Sequence, residues 1–185
     1  MPLLDRDDCV LVVVDAQPGF LTAAARSTVE RIAWLVAVAG RIDIPVVVTE
    51  EEPERNGSTD ERIAAQLPAA AQVFTKPTFG LAGTPEILAA VRAAGRSTAV
   101  LVGCETDVCV AQSAIGLSEQ GFTCVVVDDA TFSPGELHER GLARLAGEGV
   151  GRNHAKGVAY EWLGTVDAAR AVLGDPSLPP APFQL

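Results

Sequence analysis

VLVGCETDVCVAQSAIG, residues 100–116, is the stretch that decides how this chain is read. An apolar Val/Leu run stops at Gly103 and a helical pattern begins within a few residues, so a buried strand hands over directly to a helix. At such a junction the first helical N–H groups lack an intrahelical acceptor, and the helix dipole places partial positive charge there. Cys109 falls in the early turns of that helix, where a thiolate is stabilised and a developing oxyanion can be received. It is the leading candidate nucleophile, set against the bland alternative of a small, inert core residue.

Outward from that junction, Val-rich apolar runs alternate with helix-like segments, the pattern of a parallel sheet covered on both faces. VLVVV at 10–14 is a fully apolar strand ending at Asp15, followed by a turn at Pro18 and Gly19. Ser27 and Glu30 stand in capping-box spacing at the head of a helix reaching about Gly40. A second strand follows Pro45 and ends at Thr49, and the polar TEEEPERNGSTD after it reads as a solvated loop, set against the alternative that its acids select cationic or amine-bearing substrates. A short helix over 60–67 precedes a third strand, 72–75, which ends at Lys76. Thr84 and Pro85 cap a helix to Gly95, and the fourth strand, 98–102, enters the opening stretch, whose helix stops at Gly121. The fifth strand, 122–127, ends in Asp128 and Asp129. A helix over 135–146, a weak strand near Val150 and a helix over 166–173 follow. The tail from about residue 174 is too proline-rich for a helix and is expected to be extended.

A chain of 185 residues suits one complete core, so residues 1–185 are read as a single domain. No apolar run reaches the roughly 20 residues that cross a bilayer, and the acidic MPLLDRDDC does not resemble a secretory signal, so a cytoplasmic protein is expected. A formal net charge of -10 without a basic cluster argues against nucleic acid and anionic membranes as partners. Cys9, Cys104, Cys109 and Cys124 have no C-x-x-C spacing and are expected as free thiols. The two histidines, His138 and His154, are not in ligand spacing, so no metal is expected. No Gly-x-Gly-x-x-Gly or phosphate-loop pattern stands at a strand end.

Functional groups of an open parallel sheet gather beyond the carboxyl ends of its strands, where Asp15, Lys76 and Cys109 all fall. Each alone has a structural explanation. Together they supply a thiol, a carboxylate to take its proton and a cation to favour the ionised forms, which is the equipment of nucleophilic acyl transfer.

VVVDAQPGF, KPTFG and GCETDVCVAQSA followed by GFTCVVVDDA resemble, in order and over about residues 8–149, the isochorismatase-like cysteine hydrolases. That group includes nicotinamidases, N-carbamoylsarcosine amidases and ureide or carbamate hydrolases. The resemblance implies a three-layer α/β/α, Rossmann-like fold on a six-stranded parallel sheet, with Asp15, Lys76 and Cys109 as a catalytic triad. It also implies a cis peptide between Cys104 and Glu105 that turns the Glu105 N–H towards the Cys109 N–H as an oxyanion hole. Thr106 and Asp107 are expected to brace this turn, His138 to be structural, and Phe20 and Phe79 to wall the substrate pocket. Nicotinamidase-like members carry Asp-x-His beyond the second strand, whereas this chain has Thr49-Glu50-Glu51-Glu52, so neither metal nor cofactor is expected. The expected activity is hydrolysis of a C–N bond in a small amide, ureide or carbamoyl compound by a homo-oligomer. The alternative is a non-catalytic small-molecule binder or scaffold on the same fold.

Overall fold

Cys9–Val14 (β1) is buried at every position, as a strand must be when both faces of its sheet are covered. Its alternating side chains divide the interior: Cys9, Leu11 and Val13 enter one apolar cluster, and Val10, Val12 and Val14 the other. The computed structural model describes residues 2–184. Among these, six strands form one parallel sheet in the order β3-β2-β1-β4-β5-β6, made of β1, Val46–Glu51 (β2), Gln72–Lys76 (β3), Thr98–Cys104 (β4), Thr123–Phe132 (β5) and Gly151–Asn153 (β6).

Helices cover both faces. Arg26–Arg41 (α1) and Ala155–Leu163 (α7) supply Ile32, Trp34, Val158 and Trp162 to the first cluster. Pro85–Ala93 (α4), Ala111–Glu119 (α5) and Leu137–Gly147 (α6) supply Ile87, Leu117 and Leu142 to the second. Pro53–Asn56 (α2) and Glu61–Ala64 (α3) are single turns in the connection after β2, and Val166–Leu173 (α8) is the last helix. Beyond it no helix forms through residue 184, and Phe183 packs edge-on against Trp34 with ring centroids 4.9 Å apart. No helix of the described residues is long and apolar enough to cross a membrane.

Four readings of the sequence are corrected. Strand β2 runs two residues beyond Thr49, taking Glu50 and Glu51 out of the solvated loop. The side chain of Gln17, itself buried, ties down this extension: its Oε1 accepts from Glu51 N (2.7 Å) and its Nε2 donates to Glu51 O (3.0 Å). Strand β5 continues through Asp128 and Asp129 to Phe132 by shifting register against β4 between Leu101 and Gly103. Asp129 is then a framework residue, paired with Arg31 (3.0 Å) and accepting from Ala155 N (2.7 Å). Helix α1 has Ala25 at its N-cap without a side-chain cap, because a 3₁₀ turn, Ala23–Ala25, feeds straight into it and leaves Ser27 inside the helix. Helix α7, carrying the apolar positions 158, 159, 162 and 163, was absent from the sequence reading.

One close approach fixes the strand-to-helix junction. Gly103 pairs with Val14 in the β1–β4 ladder and has φ +122°, and a Cβ there would lie 1.9 Å from the Val14 carbonyl oxygen. Neither backbone strand has room to retreat in the centre of a sheet. Gly103→Ala is therefore expected to destabilise the protein by about 3 kcal/mol, read as a drop in the urea midpoint at unchanged m-value.

Candidate active site

The ends of β1, β2 and β3 and the turn after β4 meet at one point. Asp15 follows β1 in a left-handed conformation (φ 45°), which is uncommon for a non-glycine residue and persists only when its surroundings enforce it. Two backbone bonds hold it: Asp15 N donates to Thr49 O (3.0 Å) and Gln17 N to Asp15 O (2.8 Å). Its carboxylate is wholly buried. Oδ1 accepts from Thr49 Oγ1 (2.8 Å), and Oδ2 meets Lys76 Nζ at 2.6 Å.

Lys76 ends β3 with its side chain fully buried, and its ammonium also donates to Thr78 O (2.8 Å). A buried ammonium with no partner would lose several kcal/mol of hydration, which the carboxylate contact offsets. Burial raises the Asp15 pKa above its ordinary 3.8, and the charge and hydrogen bonds of Lys76 and Thr49 oppose that rise.

Cys109 approaches from the other side of the β1–β4 boundary. The chain leaves β4 through a cis peptide between Cys104 and Glu105, makes one π-type turn over Thr106–Val110 and continues as α5. Side chains from α6 and from the residue just after β5 brace this turn. Thr106 Oγ1 is 2.9 Å from His138 Nδ1, and Ser133 Oγ donates to Asp107 Oδ1 (2.6 Å). Gly141 in α6 lies so close that a Cβ would come within 2.7 Å of Asp107 N. These contacts give Thr106, Asp107 and His138 structural work.

The Cys109 thiol is 4% exposed. Burial pushes its pKa well above the ordinary thiol value, the negative charge of Asp15 pushes further, and Lys76 opposes both. The resting residue is a thiol. Burial also raises the remaining cysteines, Cys9 and Cys124 to about 11 and Cys104 further, and all four are free.

Asp15, Lys76 and Cys109, picked out at three separate strand ends, are thus brought together. The sequence reading missed a fourth participant. Glu51, the last residue of β2, accepts a hydrogen bond from Cys109 Sγ (3.3 Å, Oε2) and stands 3.7 Å from Lys76 Nζ. The missing signal was strand alternation. Thr49 and Glu51 face the site two residues apart, while Glu50 between them turns away and accepts from Thr59 N (2.7 Å) and Thr59 Oγ1 (2.8 Å). The two aromatic candidates lie outside this buried cluster: Phe20 is half-buried and Phe79 is 54% exposed.

Ligand atoms of Asp15, Glu51 and Cys109 lie within 4.8 Å of one another, the spacing of a metal site. The Lys76 ammonium already meets two of these three groups, so the position of a cation is taken by the chain's own charge. Thiol, carboxylates and ammonium side by side beneath a helix start form a site suited to nucleophilic attack on a carbonyl.

Comparison with known proteins identifies the family and bears out the fold. The family model for the isochorismatase domain matches residues 9–152. Isochorismatase domain-containing protein 1 of Danio rerio is 39% identical over 111 residues, covering 59% of this chain and 38% of that protein. The probable hydrolase YcaC of Escherichia coli K12 is 27% identical over 139 residues, covering 72% of this chain and 67% of its own length. The crystal structure of the E. coli YcaC gene product, described as an octameric hydrolase of unknown specificity, superposes with a TM-score of 0.84 at 25% identity, over 92% of this chain and 86% of that one. The chain spans well under half of the zebrafish relative but nearly the whole of the bacterial fold, and it belongs to the isochorismatase domain family of hydrolases.

Proposed function

We propose that residues 1–185 form one cysteine hydrolase unit that cleaves a C–N bond of a small amide, ureide or carbamoyl compound through a thioester on Cys109. The observation that carries this reading is the meeting of a buried thiol, the Asp15 carboxylate and the Lys76 ammonium at the head of α5. Asp15 takes the thiol proton as Sγ attacks the substrate carbonyl carbon. The carbonyl oxygen becomes an oxyanion, received by the backbone N–H groups of Glu105 and Cys109. As it collapses, the C–N bond breaks and Asp15 returns the proton to the leaving nitrogen. Asp15 then deprotonates a water that attacks the thioester; the C–S bond breaks, an acid leaves and the thiol regains its proton. Lys76 holds Asp15 in place and balances its charge throughout.

Self-association is part of the same proposal. The E. coli neighbour is octameric, and Val73 of the edge strand β3 and nearby Phe79 are exposed apolar side chains of a kind that interfaces cover. Light scattering on the purified protein is expected to give a multiple of 19.2 kDa. A monomer at micromolar concentration would remove this part of the proposal.

Turnover is tested with a panel of small amides, ureides and carbamoyl compounds, following the released amine or ammonia. Cys109→Ala is expected to abolish it, and Asp15→Asn to lower kcat by about 10²- to 10⁴-fold, the usual weight of a positioned acid–base group. Because the Asp15 pKa lies above 3.8 in the folded protein, kcat/KM is expected to fall as pH drops through that raised value. Full turnover by Cys109→Ala would sink the mechanism.

Lys76→Met leaves the buried carboxylate without its cation. It is expected to cost about 3–5 kcal/mol at neutral pH, measured by urea unfolding. Protonating Asp15 removes the uncompensated charge, so the loss should shrink as pH falls below the pKa of Asp15, which removal of Lys76 raises further.

A further inference from the structure

Glu51 is unused by the steps above, yet it touches the nucleophile. Its position is built rather than incidental. The backbone is held by Gln17 on both its N–H and C=O, and Asn56 Nδ2 adds a bond to the same carbonyl (2.9 Å). The ladder sets Glu51 opposite Lys76. The side chain therefore leaves the strand end on the side of the thiol.

The charges around Cys109 do not balance. Lys76 is committed to Asp15, at 2.6 Å with both side chains fully buried, and stands farther from Glu51, at 3.7 Å. Two carboxylates face one ammonium. Glu105, whose pKa is raised first by burial and then by Asp107 and Glu51, is a carboxyl group and brings no positive charge. Of the three charged side chains at the thiol, Asp15 and Lys76 are 0% exposed and Glu51 is 17% exposed. Glu51 is accordingly the charged group that an incoming molecule meets.

A reacting carbonyl carbon sits about 3–3.5 Å from its nucleophile, which places a substituent on that carbon beside Oε2 of Glu51. An N–H or an ammonium there gains a charge-assisted hydrogen bond, and a carboxylate there meets a like charge at contact distance. We propose that Glu51 is a specificity-determining residue, selecting substrates with N–H donors or positive charge next to the scissile carbonyl and rejecting those with a carboxylate there. The class selected comprises primary amides, ureides and amine-bearing carbamoyl compounds. This deepens the hydrolase reading and rests on Cys109 being its nucleophile.

Two alkylating probes of matched size, neutral iodoacetamide and anionic iodoacetate, test the charge at the thiol without knowledge of the substrate. Modification of each cysteine is followed by peptide mass mapping, and the rate ratio of the two probes is normalised to that of 2-mercaptoethanol. In the wild-type protein Cys109 is expected to prefer iodoacetamide by at least about tenfold over that reference, as a unit charge a few ångströms away in a partly shielded site requires. Glu51→Gln, which keeps the shape and an acceptor for the thiol, is expected to bring the ratio to within about twofold of the reference. Glu54→Gln, on the exposed turn nearby, should leave it unchanged. An unchanged ratio in Glu51→Gln overturns the proposal. Should that variant fail to fold, a wild-type ratio equal to that of 2-mercaptoethanol overturns it alone. Failure of the underlying hydrolase reading looks different: Cys109 would then be modified by iodoacetamide no faster than Cys9, Cys104 and Cys124.

Discussion

A lysine ammonium with no exposure to solvent is the constraint around which this end of the sheet is arranged. Taking such a charge out of water costs several kcal/mol even after relaxation, and only well-placed opposite charge and acceptors offset it. Asp15 at 2.6 Å and Thr78 O at 2.8 Å meet that requirement, and each demands something of the backbone. Strand β1 must end in a left-handed residue so that Asp15 folds back under β2. Strand β2 must present Thr49 to occupy the second carboxylate oxygen. Spatial order places β2 between β1 and β3, so the pair is made across an intervening strand that takes part in it.

The Cys109 thiol is positioned by a separate device, at the end of β4. Gly103 allows that strand to lie against Val14, the residue immediately before Asp15, and the π-type turn begins three residues later. Asp107 and Thr106 are then tied to the end of the β5 segment and to α6 through Ser133, the residue after β5, and His138. Asp15 follows β1 and the turn that carries Cys109 follows β4, so the β1–β4 register sets how these two approach each other. Precision at the site comes from the ladder, and the loops only finish it.

Much of this was legible in the chain because it depends on patterns of hydrophobicity that the sheet enforces. The all-apolar VLVVV of β1 and the junction at Gly103 forecast buried parallel strands, and Asp15, Lys76 and Cys109 could be placed at strand ends by counting. Glu51 could not, because the extension of β2 depends on a side chain 34 residues away: without Gln17, Thr49-Glu50-Glu51-Glu52 is a run of polar residues with no reason to stay extended. Asp128 and Asp129 misled for a related reason. Polar residues end a strand in a one-sequence reading, whereas here Arg152 and Arg31, distant in sequence, give those carboxylates partners at 3.1 and 3.0 Å. Tertiary partners override local propensity at these places.

The same burial that makes the ion pair costly raises the proton affinity of Asp15, which suits it to the proposed role of base. A carboxylate in water holds a proton too weakly to draw one from a thiol, and desolvation narrows that gap by raising its proton affinity. Lys76 limits the effect, since an aspartate shifted without restraint would be neutral and unable to accept. Cys109 is raised as well, by burial and by Asp15, so in the proposed mechanism the proton passes from sulfur to Asp15 as an electrophile is attacked. Under that proposal sulfur loses its proton as the carbon–sulfur bond forms, and with a carbonyl substrate the charge moves onto the oxygen at the head of α5. In the proposed mechanism a site with two carboxylates and one ammonium thus suits concerted transfer better than a preformed ion pair of thiolate and base, and by the same proposal its excess negative charge is what a substrate has to face.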